Sequence, residues 1–301
     1  MTRTLSLEAL AKVNRSLFVL GKRPDGFHEL DTIFQTIDLS DRLTFEEASE
    51  LELHLDDPSL PSGDDNLVMR AARALVRCGG RASGARITLE KRIPHGAGLG
   101  GGSSDAAATL RGLVALWRMP IAEEALHTLA SELGSDVPFF LMGGRVRGRG
   151  RGERLQPLPD GPAEGLVLLS PPFSLSTGEV YRRVKARALS LTPESQASNL
   201  PASDTEVLPD RNDLEPAAEE IRGEVRRLRQ ALQEAGALKA RLSGSGSTVF
   251  GIFGDLSMAQ AAAERLAGLP AGMVMAGTAI RVVSTVSRQE FSRRSVPASV
   301  D

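Results

Sequence analysis

Apolar positions along the chain fall into two spacings. SLFVL at 16–20 and TIFQTID at 32–38 are short runs rich in β-branched and aromatic residues, which predicts strands. RITLE at 86–90, LVLLS at 166–170, TVFGIF and IRVVSTVS read the same way. Helical spacing takes over elsewhere. DDNLVMRAARALVRCGG puts Leu67, Val68, Ala71, Leu75 and Cys78 on one face and stops at Gly79-Gly80. Leu110, Leu113, Val114 and Trp117 recur at i, i+3, i+4 and i+7, and Leu126, Leu129, Ala130 and Leu133 form a second such stripe. Ile221, Val225, Leu228 and Leu232 predict another amphipathic helix, AQAAAERLAGL a last one, and RRSVPASVD a frayed tail. Residues 189–211, rich in Ser, Pro and Asp without periodicity, read as a long surface loop. LQPLPDGPAEG at 155–165 is the expected domain boundary. Strands and helices mixed through both halves predict an α+β fold.

Length and charge narrow the class. At roughly 150 residues per domain, 301 residues predict two domains. The 36 Lys and Arg against 38 Asp and Glu leave a net charge of −2, without the basic excess of a protein that grips a phosphate backbone. No nucleic-acid partner is expected. The single cysteine, Cys78, excludes an intrachain disulfide and leaves a zinc cluster without ligands. Glu8, Lys12, Asn14 and Arg15 interrupt the first twenty residues, and no apolar stretch approaches the roughly 20 residues that span a bilayer. A soluble, cytoplasmic protein with no membrane partner is the expectation.

The 30 glycines cluster rather than scatter. IPHGAGLGGGSSDAAATL, residues 93–110, carries glycines at 96, 98, 100, 101 and 102, so successive backbone N–H groups can curl around an anion unobstructed. Ser103, Ser104 and Asp105 are placed to cap a helix starting near Ala106. A phosphate set there would meet free N–H groups and the positive end of the helix dipole. The alternative is a flexible turn ahead of a capped helix, for which glycine this dense is costly. Three familiar phosphate loops fit poorly. Gly96-Ala97-Gly98-Leu99-Gly100-Gly101 matches G-x-G-x-x-G, yet a second helix follows where a dinucleotide fold needs a parallel strand and an acidic residue. A Walker A loop needs Lys where Gly102 stands, and no HRD or DFG triplet marks a protein kinase.

Pro94-His95-Gly96-Ala97-Gly98-Leu99-Gly100-Gly101-Gly102-Ser103-Ser104 resembles the phosphate loop of the galactokinase, homoserine kinase, mevalonate kinase and phosphomevalonate kinase (GHMP) superfamily. Further blocks point to one family within it: Ala11-Lys12-Val13-Asn14, Arg23-Pro24-Asp25-Gly26-Phe27-His28-Glu29-Leu30, Gly134-Ser135-Asp136-Val137-Pro138-Phe139-Phe140, Gly150-Arg151-Gly152-Glu153, Asn212-Asp213-Leu214-Glu215 and Ser243-Gly244-Ser245-Gly246. In order and content they resemble the kinases of 4-diphosphocytidyl-2-C-methyl-D-erythritol. The resemblance implies a two-layer, two-domain fold with the active site in the cleft between the domains. A nucleotide-binding domain would span 1–158 and a substrate-binding domain 159–301; whether the last strand returns to the first domain stays open. It further implies transfer of the ATP γ-phosphoryl group to the 2-hydroxyl of that substrate, with Mg²⁺ screening the phosphates. A homoserine or mevalonate kinase is the nearest alternative; a dinucleotide-dependent oxidoreductase and an RNA-binding module are more distant ones.

Each candidate residue also has an ordinary structural reading. Lys12 and Asn14 share one face of a strand. Such a lysine is commonly a solvated surface residue, but beside a phosphate it could neutralise developing charge. The resemblance makes Lys12 the catalytic lysine and Asn14 a substrate contact, with Leu10 standing where the family usually has Pro. Asp136, just ahead of Pro138, reads by itself as a helix cap; the resemblance makes it the general base. Phe27 and His28 follow a Pro-Asp-Gly turn. A ring and an imidazole there could stack on and hydrogen-bond a pyrimidine, or be merely structural. The family commonly has Tyr at the Phe27 position. Tyr181, following Thr177 in SLSTGEVY, is a half-buried helix residue or, by resemblance, an aromatic against the base's other face. Both are counted as substrate-binding. The arginines at 145, 147, 149, 151 and 154 alternate with Val and Gly, which fits a strand with one solvated face. Ser243–Ser247 is a second Gly/Ser turn, expected near the substrate.

Overall fold

The computed structural model describes residues 3–79, 84–184, 210–269 and 274–299, so the loop expected at 189–211 lies outside it except for its last two residues. A long hairpin organises the first half. Strands β1 (Thr4–Lys22) and β2 (His28–Ala48) pair antiparallel over most of their length. The runs expected at 16–20 and 32–38 are segments of these longer strands. Buried polar residues such as Lys12, Asn14, Thr32 and Gln35 break the apolar alternation between and within them. The pairing register of β1 shifts between Leu10 and Lys12 and again between Asn14 and Ser16. Such irregularities bend a strand and re-aim its side chains.

The rest of the first sheet builds on β2. β3 (Leu51–Leu55) runs parallel to β4 (Gly84–Glu90), which pairs with residues 42–48 of β2, while β5 (Arg145–Gly150) takes residues 30–35 and β6 (Arg154–Pro157) pairs with β5. Helices α1 (Leu67–Arg77), α2 (Gly101–Trp117) and α3 (Glu123–Leu133) pack on this sheet. The Asn66 side chain caps α1 by accepting from the Val68 N–H at 2.9 Å. Leu43, Phe45 and Ile87 meet Val68, Leu75, Leu110 and Leu113 in the core, each worth about 1.5–3 kcal/mol of burial. Helix α2 sits close on the sheet: a Cβ on Gly112 would stand 2.4 Å from the Phe45 ring. A short α4 (Phe139–Met142) precedes β5.

The arginine run forms a strand, as expected; on its arginine face Arg149 is exposed and Arg145 half-buried, but Arg147 is not solvated. Arg147 is 2% exposed and grips Asp31 on β2 through Nε (2.8 Å) and Nη2 (2.7 Å). Local alternation places the arginines on one face; the carboxylate that covers Arg147 comes from a strand more than a hundred residues earlier.

Past Pro157 the chain enters a second, four-stranded antiparallel sheet. Its order is β10 (Ala279–Ser284), β7 (Gly165–Ser170), β9 (Val249–Phe253), β8 (Lys239–Leu242). After α5 (Thr177–Arg183), the helix expected through Ile221 and Leu232 is two helices, α6 (Glu215–Ile221) and α7 (Glu224–Glu234), interrupted at Arg222-Gly223. Helix α8 (Leu256–Ala267) is not the last. As far as Ser299 the tail expected to fray is ordered, its last two residues lying outside the described residues: α9 (Arg288–Arg294) starts on a Ser287 cap, Phe291 packs on Leu10 and Val286, and β11 (Ala298–Ser299) pairs with Leu5 and Ser6 of β1. One buried aromatic in a polar run leaves no periodic signal. A cluster including Val13 and Ile37, Ala97 and Leu99, and Leu168 and Phe250 joins the hairpin, the glycine segment and the second sheet. Among the described residues no helix is long and apolar enough to cross a membrane.

Candidate active site

A cavity of about 710 Å³ opens between the hairpin, the glycine segment and α5. Lys12, Asn14 and Thr32 line it from the hairpin. Lys12 is 3% exposed, and a buried ammonium is tolerated only with partners. It has two. Its Nζ donates to Asn14 Oδ1 at 2.5 Å and lies 3.4 Å from Asp136 Oδ2. Asn14 Nδ2 donates to Thr32 Oγ1 at 2.8 Å, and Thr32 Oγ1 donates to the Ser16 carbonyl at 2.7 Å. That relay fixes the Asn14 amide with its oxygen toward the lysine. The Lys12 backbone N–H donates to the Leu99 carbonyl at 3.0 Å, tying the strand to the glycine segment.

Asp136 caps no helix. Helix α4 begins without a side-chain cap, and the partly exposed Asp136 carboxylate faces Lys12 and lines the cavity.

The helix after the glycines starts earlier than expected. Gly100 is the cap residue of α2 and Gly101 its first residue, with no side-chain capping bond. Ser103, Ser104 and Asp105 therefore lie within the helix instead of ahead of it. Ser104 Oγ donates to the Leu10 carbonyl at 2.7 Å, and Asp105 accepts from Lys91. Bare glycine at the cap leaves the first-turn N–H groups without a competing side chain, which suits an anion. Gly98 and Gly100 have φ of +76° and +72°, a region glycine enters without steric cost. A Cβ on Gly98 would stand 2.1 Å from the Ser243 carbonyl oxygen, and one on Gly100 would meet the Phe140 ring at 2.6 Å and Lys12 Cε at 3.1 Å. Gly98 and Gly100 line the cavity. Ala97 and Leu99 are anchored in the cluster between the sheets, and His95 and Gly96 are exposed beyond it beside half-buried Pro94. Gly101, Gly102 and Ser103 open the helix.

The second glycine turn, Ser243–Ser247, packs against the first. Ser243 Oγ donates to the Gly98 carbonyl at 2.8 Å, the Thr248 N–H donates to the Ala97 carbonyl at 3.1 Å, and a Cβ on Gly244 would stand 3.5 Å from Lys12 Nζ. Thr177 Oγ1 and Ser245 Oγ are 2.9 Å apart.

Two rings stack elsewhere along the cavity: His28 and Tyr181, with centroids 4.9 Å apart and planes at 27°. It is His28, not Phe27, that lies on Tyr181. Phe27 is 51% exposed, with the Arg151 guanidinium 4.9 Å from its ring centre. Burial, reinforced by the charge of Asp136, raises the Tyr181 phenol well above its ordinary value. Burial and then the charge of Lys22 lower the His28 pKa, so at neutral pH the imidazole is neutral, with one donor and one acceptor nitrogen.

Arg151, from the Gly150-Arg151-Gly152-Glu153 block, also lines the cavity, as do Thr32, Lys22 and Arg182, which the sequence does not single out. Lys22 adjoins the block that begins at Arg23, and that adjacency was a usable signal. Thr32 had none, because its partner Asn14 lies on the other strand. Among the described residues no group of three or more His, Cys, Asp or Glu is placed to hold a metal ion.

The family models for the GHMP kinases N terminal domain and the GHMP kinases C terminal match residues 66–144 and 200–272. The chain is 47% identical over 264 residues to the 4-diphosphocytidyl-2-C-methyl-D-erythritol kinase of Pelotomaculum thermopropionicum, covering 85% of this chain and 92% of that protein. The enzyme of the same name from Chloroherpeton thalassium is 42% identical over 271 residues, covering 88% and 94%. A crystal structure of 4-(cytidine 5'-diphospho)-2C-methyl-D-erythritol kinase superposes with a TM-score of 0.75 at 37% identity, over 93% of this chain and 98% of that one. Homoserine kinase from Cytophaga hutchinsonii superposes at 0.71 with 19% identity, which speaks to the fold alone. With an α+β, GHMP-kinase fold and this degree of identity over most of its length, the chain belongs to the 4-diphosphocytidyl-2-C-methyl-D-erythritol kinase family of the GHMP kinases.

Proposed function

We propose that the chain is an ATP-dependent small-molecule kinase that phosphorylates the 2-hydroxyl of 4-diphosphocytidyl-2-C-methyl-D-erythritol, in the methylerythritol phosphate route to isoprenoid precursors and in the cytoplasm. One observation carries this reading. The Lys12–Asp136 pair, 3.4 Å apart, lines the same cavity as the bare glycines Gly98 and Gly100 and the stacked rings of His28 and Tyr181. A phosphate cradle, an acid–base pair and a surface for a flat heterocycle are thus within one space. Homoserine and mevalonate carry no base for such rings to read.

In this reading residues Pro94–Ser104 hold the ATP phosphates through backbone N–H groups and the dipole of α2. Phosphoryl transfer has a loose transition state, so positioning and charge stabilisation carry most of the catalysis. The substrate hydroxyl oxygen bonds to the γ-phosphorus while its proton passes to the Asp136 carboxylate. The bond from that phosphorus to the β-phosphate oxygen breaks, and ADP leaves with the electron pair. Lys12 orients Asp136 and offsets charge on the transferring oxygens. The cavity of about 710 Å³ that Gly98 and Gly100 line has room for phosphates and an ion on them. Mg²⁺ would arrive with ATP, held chiefly by its phosphates as this ion usually is, and would screen their charge. Asn14 and Thr177 bind the acceptor, and Phe27, His28 and Tyr181 read the cytosine. Residues 1–158 act as the nucleotide-binding domain and 159–301 as the substrate-binding domain, with Phe27 and His28 reaching across from the first.

The test is an ADP-release assay with the cytidyl substrate, homoserine and mevalonate in parallel. Turnover confined to the first is expected. Faster turnover with either of the others overturns the assignment.

A further inference from the structure

One buried ionic cluster holds both ends of the glycine loop. Asp41 on β2 accepts the backbone N–H of Arg92 at 2.5 Å and of Ile93 at 2.8 Å through Oδ1, and its Oδ2 accepts from Lys91 Nζ. Lys91 Nζ also donates to Asp105 Oδ2, at 2.8 Å, inside α2 just past its first turn. The Asp56 carboxylate, at the surface, accepts the Lys91 backbone N–H at 2.9 Å, so the residues that enter the loop and a residue that leaves it are held by three carboxylates and one ammonium. Lys91 lies against the helix start: a Cβ on Gly101 would stand 3.3 Å from its Nζ. From β1 the nearby charge is Lys12, whose Cε would meet a Cβ on Gly100; from α1 the neighbour is apolar Leu67, beside Gly102.

The cluster does not balance with Asp41 and Asp105 both ionised. N–H donors reach both oxygens of Asp41, which suits the carboxylate form. Asp105 meets Lys91 with one oxygen, while its Oδ1 is buried without a hydrogen-bond partner. An anion there would leave a bare oxygen out of water and place a second negative charge beside Asp41. Burial pushes the Asp105 carboxyl up to about 8, against the pull of Lys91 and with the push of Asp41. Burial also opposes the charge on Lys91, but Asp105 and Asp41 outweigh it and its pKa lies above the ordinary lysine value.

We infer that Lys91 and Asp105 are positioning residues for nucleotide binding, setting the start of α2 beneath the phosphates, and that the competent arrangement has Asp105 neutral. This rests on the reading of the glycine loop as the ATP site. Neither side chain need touch the nucleotide. Loss of the Asp105 proton puts a buried negative charge just past the first turn of α2, behind the helix start that would hold the phosphates, and like charges repel.

The experiment is equilibrium binding of ADP to the full chain at pH 7.5 and 9.5, without acceptor. A phosphate's second ionisation lies near pH 6, so the nucleotide's own charge changes little over this range. Wild-type affinity is expected to fall by at least about tenfold, the scale of one uncompensated unit charge about 12 Å away at an effective dielectric near 20 and a lower bound for a nearer one. Asp105→Asn keeps the shape and the Lys91 contact while remaining neutral. Its affinity should match wild type at pH 7.5 and change less than about twofold by pH 9.5. Lys91→Met, where it folds, should weaken ADP at both pH values and leave the acceptor KM unchanged. A flat wild-type profile, an Asp105→Asn variant that loses affinity in parallel with wild type, or a folded Lys91→Met variant with normal affinity each overturns the inference and leaves the kinase reading standing. Absence of ADP binding at either pH would instead remove the loop as the nucleotide site, and this inference with it.

Discussion

Lys12 Nζ stands 3.4 Å from Asp136 Oδ2, and the same ammonium is fixed from its other side by Asn14 Oδ1 at 2.5 Å. The pair joins a strand near the start of the chain to the short turn before α4, with Asn14, two residues along the same strand, as the lysine's local partner. Asp136→Asn keeps the shape and removes the charge. We expect kcat to fall by about 10²–10⁴ while ADP affinity stays near wild type. Steady-state turnover alongside equilibrium ADP binding separates the two effects, and turnover retained in the variant rejects Asp136 as the base.

The two glycine turns meet backbone to backbone at Gly98 and Ser243. Gly98→Ala must place a Cβ where the Ser243 carbonyl oxygen already stands, at a φ of +76° that L-residues rarely adopt. Strain of this kind costs about 1–3 kcal/mol. The variant should melt several degrees lower and bind ADP more weakly, because the loop is displaced with the turn. Gly223→Ala is the control, since a Cβ there meets nothing within 4 Å. Equal melting temperatures for the two variants would show that the contact is slack.

Base recognition should be separable from nucleotide binding. A stacked base is worth roughly 1–3 kcal/mol by alanine substitution, about 5- to 150-fold in affinity. Phe27→Ala and Tyr181→Ala should each raise the acceptor KM within that range and leave the ATP KM unchanged. Neutral His28 offers a directional hydrogen bond, so His28→Ala should also erode the preference for cytosine over uracil. Both KM values rising together in these variants would assign the rings to structure alone.

Asp105 makes stability depend on pH in a direction unusual for an acid. Its folded value of about 8 lies far above the ordinary 3.8. Below the lower value both folded and unfolded chains hold the proton, and its contribution to stability is complete. As pH rises from there toward 8 the unfolded chain gives up the proton first, and that contribution is progressively lost. Asparagine is neutral throughout. Asp105→Asn should therefore melt close to wild type near pH 4 and increasingly above it up to about pH 8. A melting difference independent of pH would mean that Asp105 gives up no proton in this range.

Much of the architecture was legible in the sequence, for a physical reason. Helical stripes such as Leu110, Leu113, Val114 and Trp117, and buried runs such as LVLLS, are set by the local geometry of the chain. The glycines at 98 and 100 were legible as a structural requirement, because close-packed backbone with positive φ tolerates little else there. What the sequence could not supply were relations across long stretches of chain. Arg147 reads as solvated until Asp31 is laid beside it, and the tail reads as frayed until Phe291 reaches Leu10. Ser103, Ser104 and Asp105 read as caps, a role that Ser, Asp and Asn favour in general. The tertiary structure started the helix earlier: Ser104 and Asp105 found their partners in Leu10 and Lys91, and bare Gly100 took the cap. Local periodicity determined the elements. Burial next to charges distant in the chain decided which polar residues became the site, because desolvation and pairing depend on what packs in space and not on what adjoins in sequence.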